Sequence, residues 1–188
     1  MLKSLFLVAA LSLGFQANAE LTSVQLDAVQ SIAQAIEVAG PDWKVGDTAD
    51  YTMSGSIING TMHMSVREKV AQGTWIVQDA DLGMLGKQKV EILYSDDGRI
   101  LELIANGQKQ TPPSPEDQEI VETRNETVTV AKGTFDCIYV KIKDVKSNAI
   151  TEAWINMTLI PISGMAKSIV GSQMGPITIE LTAFTRGN

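Results

Sequence analysis

From Pro41 almost to the C-terminus, apolar and polar residues trade places at nearly every step. That period of two limits the fold more than any other feature. A chain patterned this way buries one face only as strands of a sheet whose other face stays wet. Tyr51 and Met53 alternate with polar neighbours, and Met62, Met64 and Val66 alternate with Thr61, His63, Ser65 and Arg67. Further strands are read at Trp75 to Gln78, Val90 to Tyr94, Ile100 to Ala105, Thr127 to Val130, Phe135 to Ile142 and Ile150 to Ile155. In the last strand Ile177, Ile179, Leu181 and Ala183 share one face, and Thr178, Glu180 and Thr182 the other.

Asp97-Gly98, Asn106-Gly107, Ala131-Lys132-Gly133 and Lys146-Ser147-Asn148 supply turn chemistry between these runs, so the sheet is expected to be mostly an antiparallel meander. Thr111 to Asp117 carries three prolines, which cannot join a sheet interior, and reads as a linker within one domain.

Two segments do not alternate. Leu26, Val29, Ile32, Ala33 and Ile36 fall three and four apart, Thr22 and Gln25 have capping-box spacing, and Gly40-Pro41 stops the run, which predicts a helix from Thr22 to Ala39. Met157 to Met174 is apolar and Gly/Ser-rich with breakers at Pro161 and Gly164, and reads as a loop or short helix crossing the sheet. The expected class is therefore α+β: a curved, mostly antiparallel half-barrel with the N-terminal helix and the apolar crossing segment on its concave face.

The first 19 residues are read as a secretory signal peptide, with Lys3, an apolar run from Leu5 to Leu13 and Ala17-Asn18-Ala19 ahead of the cut. The run is too short for the ~20 residues of a membrane span. Cleavage after Ala19 leaves residues 20–188 as a single β-rich domain, expected in a bacterial periplasm and not membrane-spanning. The net charge of −7 becomes −8 without Lys3, which repels nucleic acid and anionic lipid headgroups. Cys137 stands alone in the chain, so no internal disulfide is available and the thiol is expected to be buried.

Motifs for chemistry are sparse. A Cys137 and His63 dyad lacks any activating signature, and no Gly-x-Ser-x-Gly elbow occurs. Met62-His63-Met64 offers copper-type ligands, but on a strand His63 faces away from the two methionines. Asp79 to Gly83 begins like a calcium loop, yet Val90 stands where its bidentate Glu belongs. No catalytic residue, metal ligand or cofactor is expected.

Val130-Ala131-Lys132-Gly133-Thr134-Phe135-Asp136-Cys137, followed by Glu152-Ala153-Trp154, Pro161, Gly164 and Lys167, resembles a pattern in exported bacterial proteins of unknown function. These are grouped with the half-barrels of periplasmic lipoprotein carriers, the LolA/LppX-like superfamily. The resemblance covers mainly residues 128–167. It implies a curved antiparallel sheet wrapped around helices, a lipid or acyl ligand on its concave side, and no catalytic residue.

The apolar lining is expected from Trp43, Met53, Met62, Met64, Trp75, Trp154, Met157 and Met165, with Met174 beyond them. Seven methionines follow the leader against four Phe in the whole chain, and methionine suits surfaces that accept flexible apolar partners. The expected function is non-enzymatic binding of a lipid or acylated ligand in that concavity, with the helix and the crossing segment as lids. The alternative is an envelope adaptor with a filled core that docks a protein partner.

Overall fold

The computed structural model describes residues 42–56, 59–110, 118–145, 148–171 and 175–188. The leader, the helix at 22–39, the linker at 111–117 and Met174 lie outside them. The described chain is eleven strands in one sheet: β1 Thr48–Ser54, β2 Asn59–Val70, β3 Gly73–Asp81, β4 Lys87–Tyr94, β5 Ile100–Ala105, β6 Gln108–Gln110, β7 Gln118–Val130, β8 Gly133–Asp144, β9 Ile150–Ile155, β10 Met165–Val170 and β11 Ile177–Thr185. A 3-10 turn at Gly83–Leu85 is the one helical element among the described residues. The described fold is thus mostly β, which corrects the α+β expectation.

Across the sheet the strands run in the order β6-β5-β4-β3-β2-β1-β11-β10-β9-β8-β7. Two antiparallel meanders, β1 to β6 and β7 to β11, are joined where β1 pairs with β11. The linker expected to divide the sheet in sequence therefore connects its two opposite edges, β6 and β7. Laid flat, ten inter-strand gaps at about 4.8 Å would hold those edges about 48 Å apart. The eight residue steps from Gln110 to Gln118 reach about 29 Å at most. The sheet must coil. It does so through register shifts at Asp50/Tyr51, Val66/Glu68, Leu93/Tyr94, Ile120/Glu122 and Met165/Lys167, where extra residues add local twist. The Lys132 amide, at the tip of the β7–β8 hairpin, donates to the Leu181 carbonyl in β11 at 3.2 Å, although β9 and β10 lie between β8 and β11 in strand order. Even so, β6 and β7 remain edges and the barrel is not closed.

Each strand expected from the sequence falls inside an observed strand, and Asn106-Gly107, with φ of 49° and 80°, turns β5 into β6. Two strands escaped the pattern. β6 is three polar residues on an edge, and β10 lies in the segment read as a crossing loop. Its alternation is hidden by the extra residue between Met165 and Lys167 and by Ser168, which is fully buried and donates to the Glu152 carbonyl at 3.0 Å.

One buried carboxylate ties the ends of the described chain together. Asp47, with no exposed surface, accepts the Lys44 amide at 3.0 Å and the Gly187 amide at 2.8 Å, while the Arg186 guanidinium stands 3.9 Å away. It fixes the entrance to β1 against the exit from β11, the two strands that join the meanders. Asp47→Ala leaves those amides without their acceptor and is expected to cost about 3 kcal/mol, read as a lower urea midpoint with an unchanged slope.

Candidate functional site

The inner face of the coiled sheet is built by the alternation itself. On β1 and β2 it presents Ala49, Tyr51 and Met53 beside Met62, Met64 and Val66, and the ladder sets Tyr51 opposite Met62 and Ala49 opposite Met64. Met165, opposite Ile155 on β9, closes the row from the other meander. Ile76, Ile92, Leu103, Ile177, Ile179 and Leu181 complete an apolar wall, all of it buried. Four of the methionines expected in the lining, Met53, Met62, Met64 and Met165, stand together here.

Residues 156–164 fold back over this wall as a strap. Its base is closed on itself, the Asn156 amide donating to the Gly164 carbonyl at 2.8 Å, in the manner of a compact Ω-type loop. Ile160 and Ile162 are buried in the core, whereas Leu159 is exposed on the outer side. Three side-chain bonds pin the strap down and a fourth holds its base: Arg186 donates to the Thr158 carbonyl at 3.1 Å, and at the base Asn156 Nδ2 donates to the Asp136 carbonyl at 2.8 Å. Trp43 Nε1 donates to the Ile162 carbonyl at 2.9 Å, its ring against Tyr94 with centroids 4.8 Å apart. The Tyr51 hydroxyl meets Ser163 Oγ at 3.0 Å, and that oxygen also accepts the Met165 amide at 3.3 Å. Burial, opposed in part by the Ser163 bond and helped by the Asp50 charge, pushes the Tyr51 phenol well above its ordinary 10.0.

The strap carries strain as well. Ile162 sits at φ 65°, a left-handed conformation in which a β-branched residue is an outlier, and such strain gathers at ligand clamps and switches. Gly164, at φ 67°, is required there: a Cβ would lie 2.4 Å from Met157 Sδ. Met157 is accordingly part of the strap, half-buried beneath it, and Trp43 part of the cover. The concavity expected to be hollow is occupied by the protein's own strap.

Trp75 and Trp154 are corrections to the expected lining. Register places Trp75 opposite Glu68 and Leu93, on the face that carries Val77 and Asp79, with the Arg67 guanidinium 4.9 Å from its ring. Trp154 lies opposite Tyr139 and Lys167. Its ring meets Tyr139 edge-on at 5.1 Å, its Nε1 donates to Glu126 at 3.0 Å, and Arg124 stacks 3.5 Å over Tyr139. The Trp154 N–H and then Arg124 hold the Glu126 carboxyl below its usual value. Both tryptophans therefore serve the outer face, Trp154 buried and Trp75 half-buried beside charged side chains.

That outer face also holds an open groove of about 640 Å³ over β1 to β4, lined by Asp50, His63, Asp79, Asp81, Lys87 and Lys89 among others. His63 Nδ1 lies 2.6 Å from Asp50 Oδ1, with both side chains nearly half exposed. The hydroxyls in the groove belong to Thr52, Thr61 and Thr182, and among the described residues no serine or cysteine lines it. Cys137 is on β8, four strands away in the sheet, where burial pushes its thiol up to about 11. Among the described residues no helix is long and apolar enough to cross a membrane.

Three residues of the site were not singled out by sequence reasoning: Tyr51 as a latch, Ser163 as its partner and Gln78 on the inner wall. Gln78 shares its parity with Ile76 and Ala80, but the consecutive Trp75-Ile76-Val77 conceals the phase of β3.

No protein-family profile and no curated protein sequence matches the chain. Among solved structures, the hypothetical protein CT021 of Chlamydia trachomatis is similar at TM-score 0.53 and 10% identity, over 85% of this chain and 92% of that one. A candidate exported protein with a YmcC-like fold from Bacteroides fragilis aligns at TM-score 0.41 and 12% identity over 78% of this chain and 99% of its own. LprF from Mycobacterium bovis aligns at 0.31 and 11% over 88% and 96%. At these identities the likeness is one of fold alone, and the Chlamydia protein carries it.

Tyr51→Phe removes the latch and is expected to cost about 1 kcal/mol while speeding amide exchange in the strap. The folded chain keeps the Tyr51 phenol neutral, whereas the unfolded chain ionises it near 10.0. The stability it contributes is whole below that value and lost as pH rises above it. Denaturant titrations at about pH 9 and about pH 11 are expected to show a smaller alkaline loss in Tyr51→Phe than in the native protein.

Proposed function

We propose that this is a non-enzymatic binding protein of the bacterial cell envelope, exported by its leader, that takes a lipid or acylated ligand onto its methionine wall when the strap lifts. The observation that carries the reading is the gathering of Met53, Met62, Met64 and Met165 behind a strap held across its span by three side-chain bonds, from Trp43, Tyr51 and Arg186. Methionine repacks around irregular alkyl shapes, so the wall accepts either the strap or a chain in its place.

Magnitudes set the length of ligand required. Lifting the strap gives up three hydrogen bonds at about 1 kcal/mol each and exposes Ile160 and Ile162 at about 2 kcal/mol each. Association entropy adds at least about 4 kcal/mol. At about 0.8 kcal/mol per buried methylene, these costs are offset only beyond about fourteen carbons. Palmitate is therefore expected to bind and octanoate not to, in displacement of a fluorescent apolar probe.

A second reading is favoured by the outer groove. Its rim sets Asp50, Asp79 and Asp81 beside His63, Lys87 and Lys89, a mixed-charge surface that suits a docking protein, and an interior that never opens makes that the function. Native mass spectrometry with lipid extraction, on protein exported by its own leader and purified without detergent, separates the two. A stoichiometric mass that extracts as lipid is expected. A bare chain with no lipid recovered would contradict lipid binding and leave the groove as the site.

A further inference from the structure

The inner wall contains one group that its apolar surroundings do not explain. Gln78, on β3, is 3% exposed, and its Nε2 is buried without a hydrogen-bond partner. The ladder sets it opposite Met64 on β2 and Val90 on β4, with Ile76 and Ala80 on either side of it on the same face. Every other buried polar side-chain atom among the described residues has a partner. An unmade buried donor is costly, and a strand position between Ile76 and Ala80 accepts Leu or Met without that cost.

The residues around Gln78 can repack around a ligand. Ala80 is short, and Met64 is unbranched and adaptable. An alkyl chain lying along Met62 and Met64 would pass beside the Gln78 amide. A hydrocarbon would leave the donor unmade, whereas a chain interrupted by a carbonyl oxygen would satisfy it.

We infer that Gln78 is a specificity residue for an acyl carbonyl: the ligand of the methionine wall is a long chain joined through an ester or amide, whose C=O accepts the Gln78 Nε2 hydrogen. This rests on the proposed lipid-binding role of the inner face and adds the chemical class of the ligand. The strap exchanges for the chain, and Gln78 fixes how far along the wall the chain slides. Specificity then arises from the contrast between a satisfied and an unsatisfied buried donor, which discriminates more sharply than chain length does.

The test compares methyl palmitate with n-octadecane, chains of equal length with and without a carbonyl, each delivered from cyclodextrin to the native protein and to Gln78→Met. Met matches Gln in shape and lacks the donor. The ratio of ester to alkane affinity is expected to be about tenfold higher in the native protein than in Gln78→Met, with alkane affinity retained in the variant. Empty Gln78→Met is expected to melt at or above the native temperature, which shows that the variant is folded. An unchanged ratio, with both probes binding, would overturn the role of Gln78 and leave the lipid-binding reading intact. Failure of both probes to bind the native protein would overturn both.

Discussion

The pairing of β1 with β11 holds the structure together, because among the described residues it is the one ladder that joins the two meanders. It brings residues near 50 beside residues near 180, and the buried Asp47 carboxylate secures it at the point where the chain enters β1 and leaves β11. Once that ladder forms, the edges β6 and β7 are bound by a connection shorter than a flat sheet allows. Coiling follows from chain length alone, and a concave face follows from coiling. The strap, its latch and the methionine wall all depend on that concavity.

The two faces of the sheet solve burial differently. Inside, apolar side chains pack against one another and against Ile160 and Ile162 of the strap. Outside, aromatic rings are covered by long charged side chains: Arg67 over Trp75, Arg124 over Tyr139 and Lys167 near Trp154. An outer face secured by such cation and ring contacts keeps its shape without the strap. Among the described residues the inner face is covered by one loop, which carries a left-handed isoleucine and is held across its span by three side-chain bonds, so opening of the described fold is expected to start there.

Strand existence was legible in the sequence because period two survives wherever one face is wet, as in Ile177 to Ala183. Strand order was not: nothing local says that β11 pairs with β1, a contact between residues more than a hundred positions apart. Face assignment failed where apolar residues run consecutively. Trp75-Ile76-Val77 and Ala153-Trp154-Ile155 bury both sides of their strands, so size alone suggested an inward tryptophan, and register with Leu93 and Lys167 turned each outward. Met62 and Met64 were readable because Thr61, His63 and Ser65 mark the phase between them. The strap was legible as an apolar break in the pattern, but its latch was not, since Tyr51 and Ser163 are ordinary residues until the fold brings them within 3.0 Å.

The central claim is that the methionine wall opens to an acyl chain while the rest of the molecule stays as it is. Methyl NMR of protein labelled at the methionine methyl carbons, with and without an acyl ester of about sixteen carbons, tests this directly. Met84 is 93% exposed on the 3-10 turn and serves as an internal reference. The account predicts that Met53, Met62, Met64 and Met165 shift together with Met157 of the strap while Met84 does not. Inner methyl signals that stay in place at saturating ester would contradict it.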